Sequence, residues 1–390
     1  MSASTPIEEG VSNERFSFAQ ARRLVSDLHQ PVRRIYWTDF LCSIIAGHIF
    51  FHLVYFAPNI FPASPAAAIV LQSFAFPVAA ILYLRSVMFI HELVHLPKEG
   101  FQGFRIVWNA LCGIFFLVPS FTYYPHVDHH RRKHYGTEHD GEYVALSHAS
   151  PWWILGFMAQ NLVIPILGYL RFAVISPVCW LYPPARSWIH RHASTLVVDP
   201  FYERPAPSAR VKQMILFQEF LCFLWCFWLV ARVPIMKGVW FDWFWVLAYF
   251  MGVAVTTLNA LRTLGAHRWT GAGEEMSFEA QLLDSVNYPE RGWITELWGP
   301  VGTRFHALHH LFPSLPYHNL AAAHRRLMEG LPADSPYRLT NRRSLVEALG
   351  ELWTRARRSV EQSKSSPTPF VSRTPTRLQL SSEELPSQVA

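Results

Sequence analysis

Two stretches of this 390-residue chain carry one pattern, H-x-x-H-H: His126-Val127-Asp128-His129-His130 and His306-Ala307-Leu308-His309-His310. On a helix, positions i, i+3 and i+4 lie on one face, so each stretch is expected to converge three imidazoles on a metal ion. His91-Glu92-Leu93-Val94-His95 adds two histidines one turn apart. Neutral imidazole ligates Fe, Zn, Cu and Ni, and eight histidines exceed what one ion coordinates, so two metals are implied.

The first cluster also reads H-E-x-x-H, in which two histidines hold zinc and the glutamate acts as general base in peptide hydrolysis. That reading uses five residues and leaves both H-x-x-H-H stretches without a task, whereas a two-metal site uses all three clusters. Glu92 is then a residue that orients an imidazole or a solvated helix position. A metal-binding membrane protein without catalysis is the remaining alternative.

The elements that bring these clusters together must cross a membrane. Tyr36–Ala57, Ala66–Ile90, Met214–Val230 and Gly238–Leu258 are apolar runs, and about 20 such residues span the hydrocarbon. The expectation is an all-α integral membrane fold with about four transmembrane helices and a cytoplasmic helical cap carrying the histidines. Arg22, Arg23, Arg33 and Arg34 precede the first run, which places segment 1–35 in the cytoplasm; Arg232 and Lys237 in a far-side turn run against this bias. No signal peptide is visible. The net charge of +6 comes from scattered basic residues with no aromatic-basic stripe, so no nucleic-acid partner is expected. Five cysteines in apolar stretches argue against a disulfide framework.

Parity constrains the remaining runs. If Ile106–Phe121 crossed, His95 and His126 would sit on opposite sides; it is therefore expected to be interfacial or re-entrant. Trp152–Leu181, interrupted by Pro165, Arg171 and Pro177, is likewise expected to lie along the membrane or dip and return. The run from Ala66 to His95 would overshoot the bilayer and carry His91 and His95 into the cytoplasm, with a kink at Pro77. A continuous helix from Trp240 would do the same for Asn259, Arg262 and His267, which makes His267 a ninth candidate ligand. Phe16–Gln30 reads as an amphipathic helix on the membrane surface, and Asn319–Leu331 and Ser344–Ser359 as polar amphipathic helices. Residues 362–390, rich in Ser, Pro and Thr, read as disordered. Asp128 and Asp140 are candidates to accept N–H bonds from ligating imidazoles. His134, His139 and His318 flank the clusters without a role, and Glu219, costly inside an apolar run, has none assigned.

The three clusters resemble the histidine boxes of membrane fatty acid desaturases, H-x(3–4)-H, H-x(2–3)-H-H and a late H/Q-x(2–3)-H-H. The flanks agree: Gly136-Thr137 with Asp140-Gly141-Glu142-Tyr143, and His309-His310-Leu311-Phe312-Pro313 with Tyr317-His318. The resemblance covers residues 36–330 as a desaturase-like membrane domain, followed by a helical extension over 331–361. It implies two non-haem iron ions held by His91, His95, His126, His129, His130, His267, His306, His309 and His310, with no catalytic residue beyond these ligands. It also implies O2 as co-substrate, a lipid or acyl substrate, and an external electron donor of ferredoxin or cytochrome b5 type. The expected reaction is insertion of a double bond into an acyl chain; the alternative is hydroxylation or ketolation of a lipid or carotenoid. Thr263 stands where related enzymes place an asparagine four residues before the ninth histidine, which leaves Asn259 as the candidate for a water-mediated contact.

Overall fold

A computed structural model describes residues 16–365; the first 15 residues and 366–390, with most of the expected tail, lie outside it. Among the described residues the fold is all-helical, with only isolated β-bridges. Helix α1 (Phe18–Leu24) and a following 3-10 turn are shorter than expected and dock on protein. Ala21 and Val25 are fully buried, because this segment packs against a helix near the C-terminus, where Asp27 pairs with Arg326 at 2.5 Å.

Helices α2 (Arg33–Ile60) and α3 (Pro65–His95) form the first antiparallel pair. Ser64 caps α3 by accepting from the Ala67 amide, and Pro65 occupies the first turn, where its missing N–H is harmless. At 31 residues α3 is about 46 Å long, against about 30 Å of hydrocarbon. Its last turns therefore emerge with His91 and His95, and Pro77 lies inside the helix without ending it.

Segment 102–123 turns back. Helix α4 (Gln102–Trp108) runs into a π turn (Asn109–Gly113), Leu117 adopts a positive φ of 60°, and a 3-10 turn covers Ser120–Tyr123. Asn109 Oδ1 accepts from the Ser120 amide at 2.9 Å, so the ends of this apolar loop are pinned together and it does not cross. Helix α5 (His126–His129) follows on the same side as His95.

Helices α6 (Pro151–Ala159), α7 (Ile164–Leu170), α8 (Ser176–Leu181) and α9 (Pro183–His192) form a broken apolar stretch. Through a π turn at Arg171–Ile175, residues Ile164–Leu181 become one helical run of 18 residues. It is a fifth segment long and apolar enough to span, beside α2, α3, α10 (Ala209–Lys237) and α11 (Trp243–Ala266). His129 and His267 lie in one cluster, so complete crossings between them must be even in number. Three candidates lie between them. The odd one out is Ile164–Leu181, the shortest, interrupted by Arg171, whereas α10 and α11 are longer and are joined by the short turn 238–242.

Glu219, in α10, is 3% exposed. Its two oxygens take Arg171 at 2.6 Å and Arg186 at 3.2 Å, so the carboxylate ties the dipping segment and α9 to a spanning helix. Glu219→Ala would leave two largely buried guanidiniums uncompensated, at a cost of about 3 kcal/mol. Thermal unfolding of the solubilised protein should show a drop in Tm of several degrees; an unchanged midpoint would rule out this role.

Gly238, at φ 67°, ends α10, and Asp242 caps α11 through the Phe244 amide. The helix therefore begins at Trp243 and not at Trp240. The two basic residues that oppose the charge bias are both compensated here: Lys237 by Asp242, and Arg232 by lying 4.0 Å above the Phe244 ring. Trp240, Phe241 and Trp243 are exposed at this end and Trp152, Trp153, Tyr182 and Trp188 in the α6–α9 segment, as expected of aromatic residues at membrane–water interfaces. This is a multi-pass membrane protein.

The helical cap contains α12 (Phe278–Asp284), α13 (Gly292–Trp298), α14 (His306–Leu311), α15 (Leu320–Gly330) and α16 (Leu345–Ser365). Helix α16 passes the expected boundary at residue 362, and its Leu352 and Ala356 pack with Tyr135, Tyr143 and Trp269 beneath the histidines. Arg85 binds Asp39 through two hydrogen bonds and Glu296 at 3.1 Å, joining α2, α3 and α13 where the cap meets the membrane helices.

Candidate metal centre

All nine candidate histidines come together, in two groups. His91, His95, His126, His130 and His309 form the first; His129, His267, His306 and His310 form the second, and within each group the ligand atoms lie within 4.8 Å of one another. The two H-x-x-H-H stretches are thus divided, each between both groups, and the expectation that each converges on one metal is overturned. The reason is helical: at about 100° per residue, i and i+4 are separated by about 40°, while i+3 lies about 60° to the other side. His126 and His130 face one group and His129 the other; His306 and His310 face the second and His309 the first.

His267 does not ride on α11, contrary to expectation. The helix stops at Ala266, and His267 is extended (φ −128°, ψ 161°), bridged to Ser285. Hydrogen bonds from the Val286 amide to the Ala266 carbonyl and from the Arg268 amide to the Asp284 carbonyl replace the helical ones. Asn259 Oδ1 accepts from Arg262 Nε at 3.2 Å.

The donor atoms are arranged as metal ligands would be. His130 Nε2 lies 2.9 Å from His126 Nε2 and 3.0 Å from His309 Nε2. His306 Nε2 lies 2.8 Å from His267 Nε2 and 3.0 Å from His310 Nε2. A ring nitrogen with one hydrogen or one lone pair cannot make two good ring-to-ring hydrogen bonds at once. Cis ligands on a cation with bonds of about 2.1 Å sit about 3.0 Å apart. Both His91 ring nitrogens and His95 Nε2 are buried without a partner. The residues present therefore fit two cations. Rings of His130 and His310 are 4.4 Å apart across the two groups, so the two cations would be neighbours.

The opposite edge of three rings is fixed by acceptors. His129 Nδ1 donates to Asp140 at 2.8 Å and His126 Nδ1 to Glu142 at 2.9 Å. Tyr135 donates its hydroxyl hydrogen to Asp284 at 2.8 Å, so its oxygen accepts from His267 Nδ1 at 2.9 Å. Each Nδ1–H bond sets the tautomer that leaves the Nε2 lone pair aimed into the centre. Burial holds the His126, His130, His306, His309 and His310 side chains neutral by lowering their pKa values well below the usual imidazole value, which favours ligation. Burial opposes charge on the His129–Asp140 pair too, yet mutual attraction outweighs it, raising the imidazole and lowering the carboxyl. Burial pushes the Glu142 carboxyl up to about 7.

Gly136 makes this possible. At φ 73° it takes a turn that L side chains rarely adopt, and its amide donates to Asp140 Oδ2 while the Glu142 amide donates to Oδ1. The loop thereby returns both carboxylates to α5. Asp128, the other expected acceptor, pairs with Arg131 at 2.9 Å and touches no histidine of either group. Glu142 stands in the flank of the second stretch, where nothing in the sequence marks its role; Tyr135 and Asp284 carry no sequence signal, since they reach His267 only through the fold. His134, His139 and His318 stand outside both groups.

Glu92 turns away from the ring nitrogens. It accepts from Tyr36 Oη at 2.6 Å and the Tyr317 amide at 3.2 Å, and stays 4.0 Å from His91 Nδ1. It latches α3 to α2 and to the segment after α14; a zinc protease would need it beside the metal. Glu92→Gln, which keeps an acceptor for both donors, should retain activity within about tenfold, whereas loss of an essential general base would cost about 10²–10⁴-fold. Turnover of the purified variant distinguishes the two.

The family model for fatty acid desaturase matches residues 65–341. The chain is similar to a ceramide hydroxylase of Caulobacter vibrioides (strain NA1000 / CB15N), with 36% identity over 353 residues, covering 89% of this chain and 96% of that protein. No solved structure matches the chain.

Proposed function

The chain belongs to the fatty acid desaturase family, and on that premise we propose that it is an O2-dependent membrane hydroxylase acting on the hydrocarbon part of a ceramide-like lipid. One observation favours hydroxylation over the expected desaturation: the similarity to a ceramide hydroxylase extends over nearly the whole of both chains. The nine histidines would hold two iron ions, five rings on one and four on the other, and no acid is within either set. Bound there, the irons would supply O2 activation and hydrogen removal from an unactivated C–H bond.

The reaction balances as one C–H bond and one O2 taking up two electrons and two protons, giving one C–OH and one water. The electrons would come from a separate protein of ferredoxin or cytochrome b5 type. Asp140, Glu142 and the Tyr135–Asp284 pair hold the Nδ1 protons, so His126, His129 and His267 keep their lone pairs inward. The spanning helices supply the surface along which a lipid chain reaches the centre, on the cytoplasmic side with both termini.

Lipid extracts of a host expressing the protein, compared with a His126→Ala control, should contain ceramide-type lipids that have gained one oxygen. Lipids that had instead lost two hydrogens would establish the desaturase reading. Metal analysis should find about two irons per chain; one zinc and no iron would defeat both.

A further inference from the structure

Between α16 and the extended segment after His267 lies a cavity of about 460 Å³, apart from both histidine groups. Arg268, Arg355 and Arg358 line it with His148, Thr270 and Ser359, and none of its lining residues among the described ones is acidic. The side chain of Arg268 donates to the Leu339 carbonyl, but its Nε is buried without a hydrogen-bond partner. Arg355 reaches Glu351 only at 3.6 Å, and that carboxylate is already bound by Arg342 at 3.1 Å. Arg358 has no ion-pair partner among the described residues. Burial and the nearby Arg342 and Arg355 lower the Arg268 pKa to about 10, outweighing the attraction of Glu351 and Asp284. Guanidiniums gathered round one concavity repel one another unless an anion lies among them.

We propose that this cavity binds a phosphate group. Guanidinium forks match phosphate oxygens in pairs. The walls are held in place: Ser359 donates to the His148 carbonyl at 3.1 Å, and His148 Nε2 lies 3.0 Å from the Thr270 carbonyl. The cavity is also joined to the metal centre. Thr270 donates both its amide (2.7 Å) and hydroxyl (2.6 Å) to Asp284, which shares Tyr135 with His267. Thr270, in the cavity wall, is therefore three hydrogen bonds from His267 of the second histidine group, through Asp284 and Tyr135. The phosphate belongs either to an anionic phospholipid headgroup or to a soluble phosphorylated compound.

The test is titration of the full-length purified protein with inorganic phosphate, with chloride at matched ionic strength as control. Binding is read without turnover, so the result is independent of the hydroxylase reading. Wild type should bind saturably. Arg358→Ala should weaken binding about tenfold, and Arg355→Gln with Arg358→Gln should weaken it further, with metal content unchanged. Equal affinity in wild type and double variant, or an effect matched by chloride, would overturn the proposal. Repeating the titration in nanodiscs of phosphatidylcholine alone and with phosphatidylglycerol identifies the source. Phosphate displaced only by the anionic lipid assigns the site to a headgroup; equal binding in both assigns it to a soluble phosphate.

Discussion

His309→Ala is expected to abolish turnover and to remove about one iron per chain. Although His309 belongs to the last H-x-x-H-H stretch, its Nε2 is 3.0 Å from His130 Nε2 and its ring centroid 4.2 Å from that of His91. Its loss should therefore empty the group built from residues 91–130 and leave the group of its neighbours His306 and His310 loaded. Both ions are needed in the proposed chemistry, so the loss should exceed the roughly 10–100-fold that follows from removing a supporting partner. His306→Ala should remove the other ion, and metal-specific spectra of the two variants should differ. Two ions and full turnover retained in His309→Ala would refute the division of the histidines into these two groups.

Asp140→Ala is expected to be the most damaging change among residues that are not themselves candidate ligands. The carboxylate is fully buried and accepts from His129 Nδ1, the Gly136 amide and the Glu142 amide. Alanine leaves buried donors unsatisfied, at about 1–3 kcal/mol each, and releases the His129 ring from its tautomer. Metal affinity in the second group should fall about 10–100-fold, together with thermal stability. Asparagine restores one acceptor but places an NH2 against a donor, so Asp140→Asn should recover only part of the loss. Asp128→Ala, whose carboxylate faces Arg131, should retain wild-type metal content. The opposite ranking of Asp128 and Asp140 in metal retention would defeat the assignment.

Much of the membrane layout was legible because a bilayer imposes one-dimensional rules. The positions of α2, α3, α10 and α11 followed from runs of apolar residues, and the folded-back segment 102–123 followed from requiring His95 and His126 on one side. Boundaries were less legible, since caps decide them: Asp242 starts α11 three residues later than Trp240, and Asp284 and Val286 draw His267 out of the helix. Segment Phe16–Gln30 looked suited to a membrane surface because its apolar face showed no partner in sequence. That partner is α15, some 300 residues away.

The sequence by itself determined that imidazoles occur at helical spacing in three places, and so that a metal centre was the best reading of the chain. Only the tertiary structure decided how the rings are shared. Spacing fixes the angle between side chains on one turn, and it separates His129 from His126 and His130 as surely as it groups them. Which of those directions meets His91 and which meets His267 depends on how α5 and α14 are packed across from each other. That packing is set by contacts between segments about 180 residues apart, which no local periodicity contains.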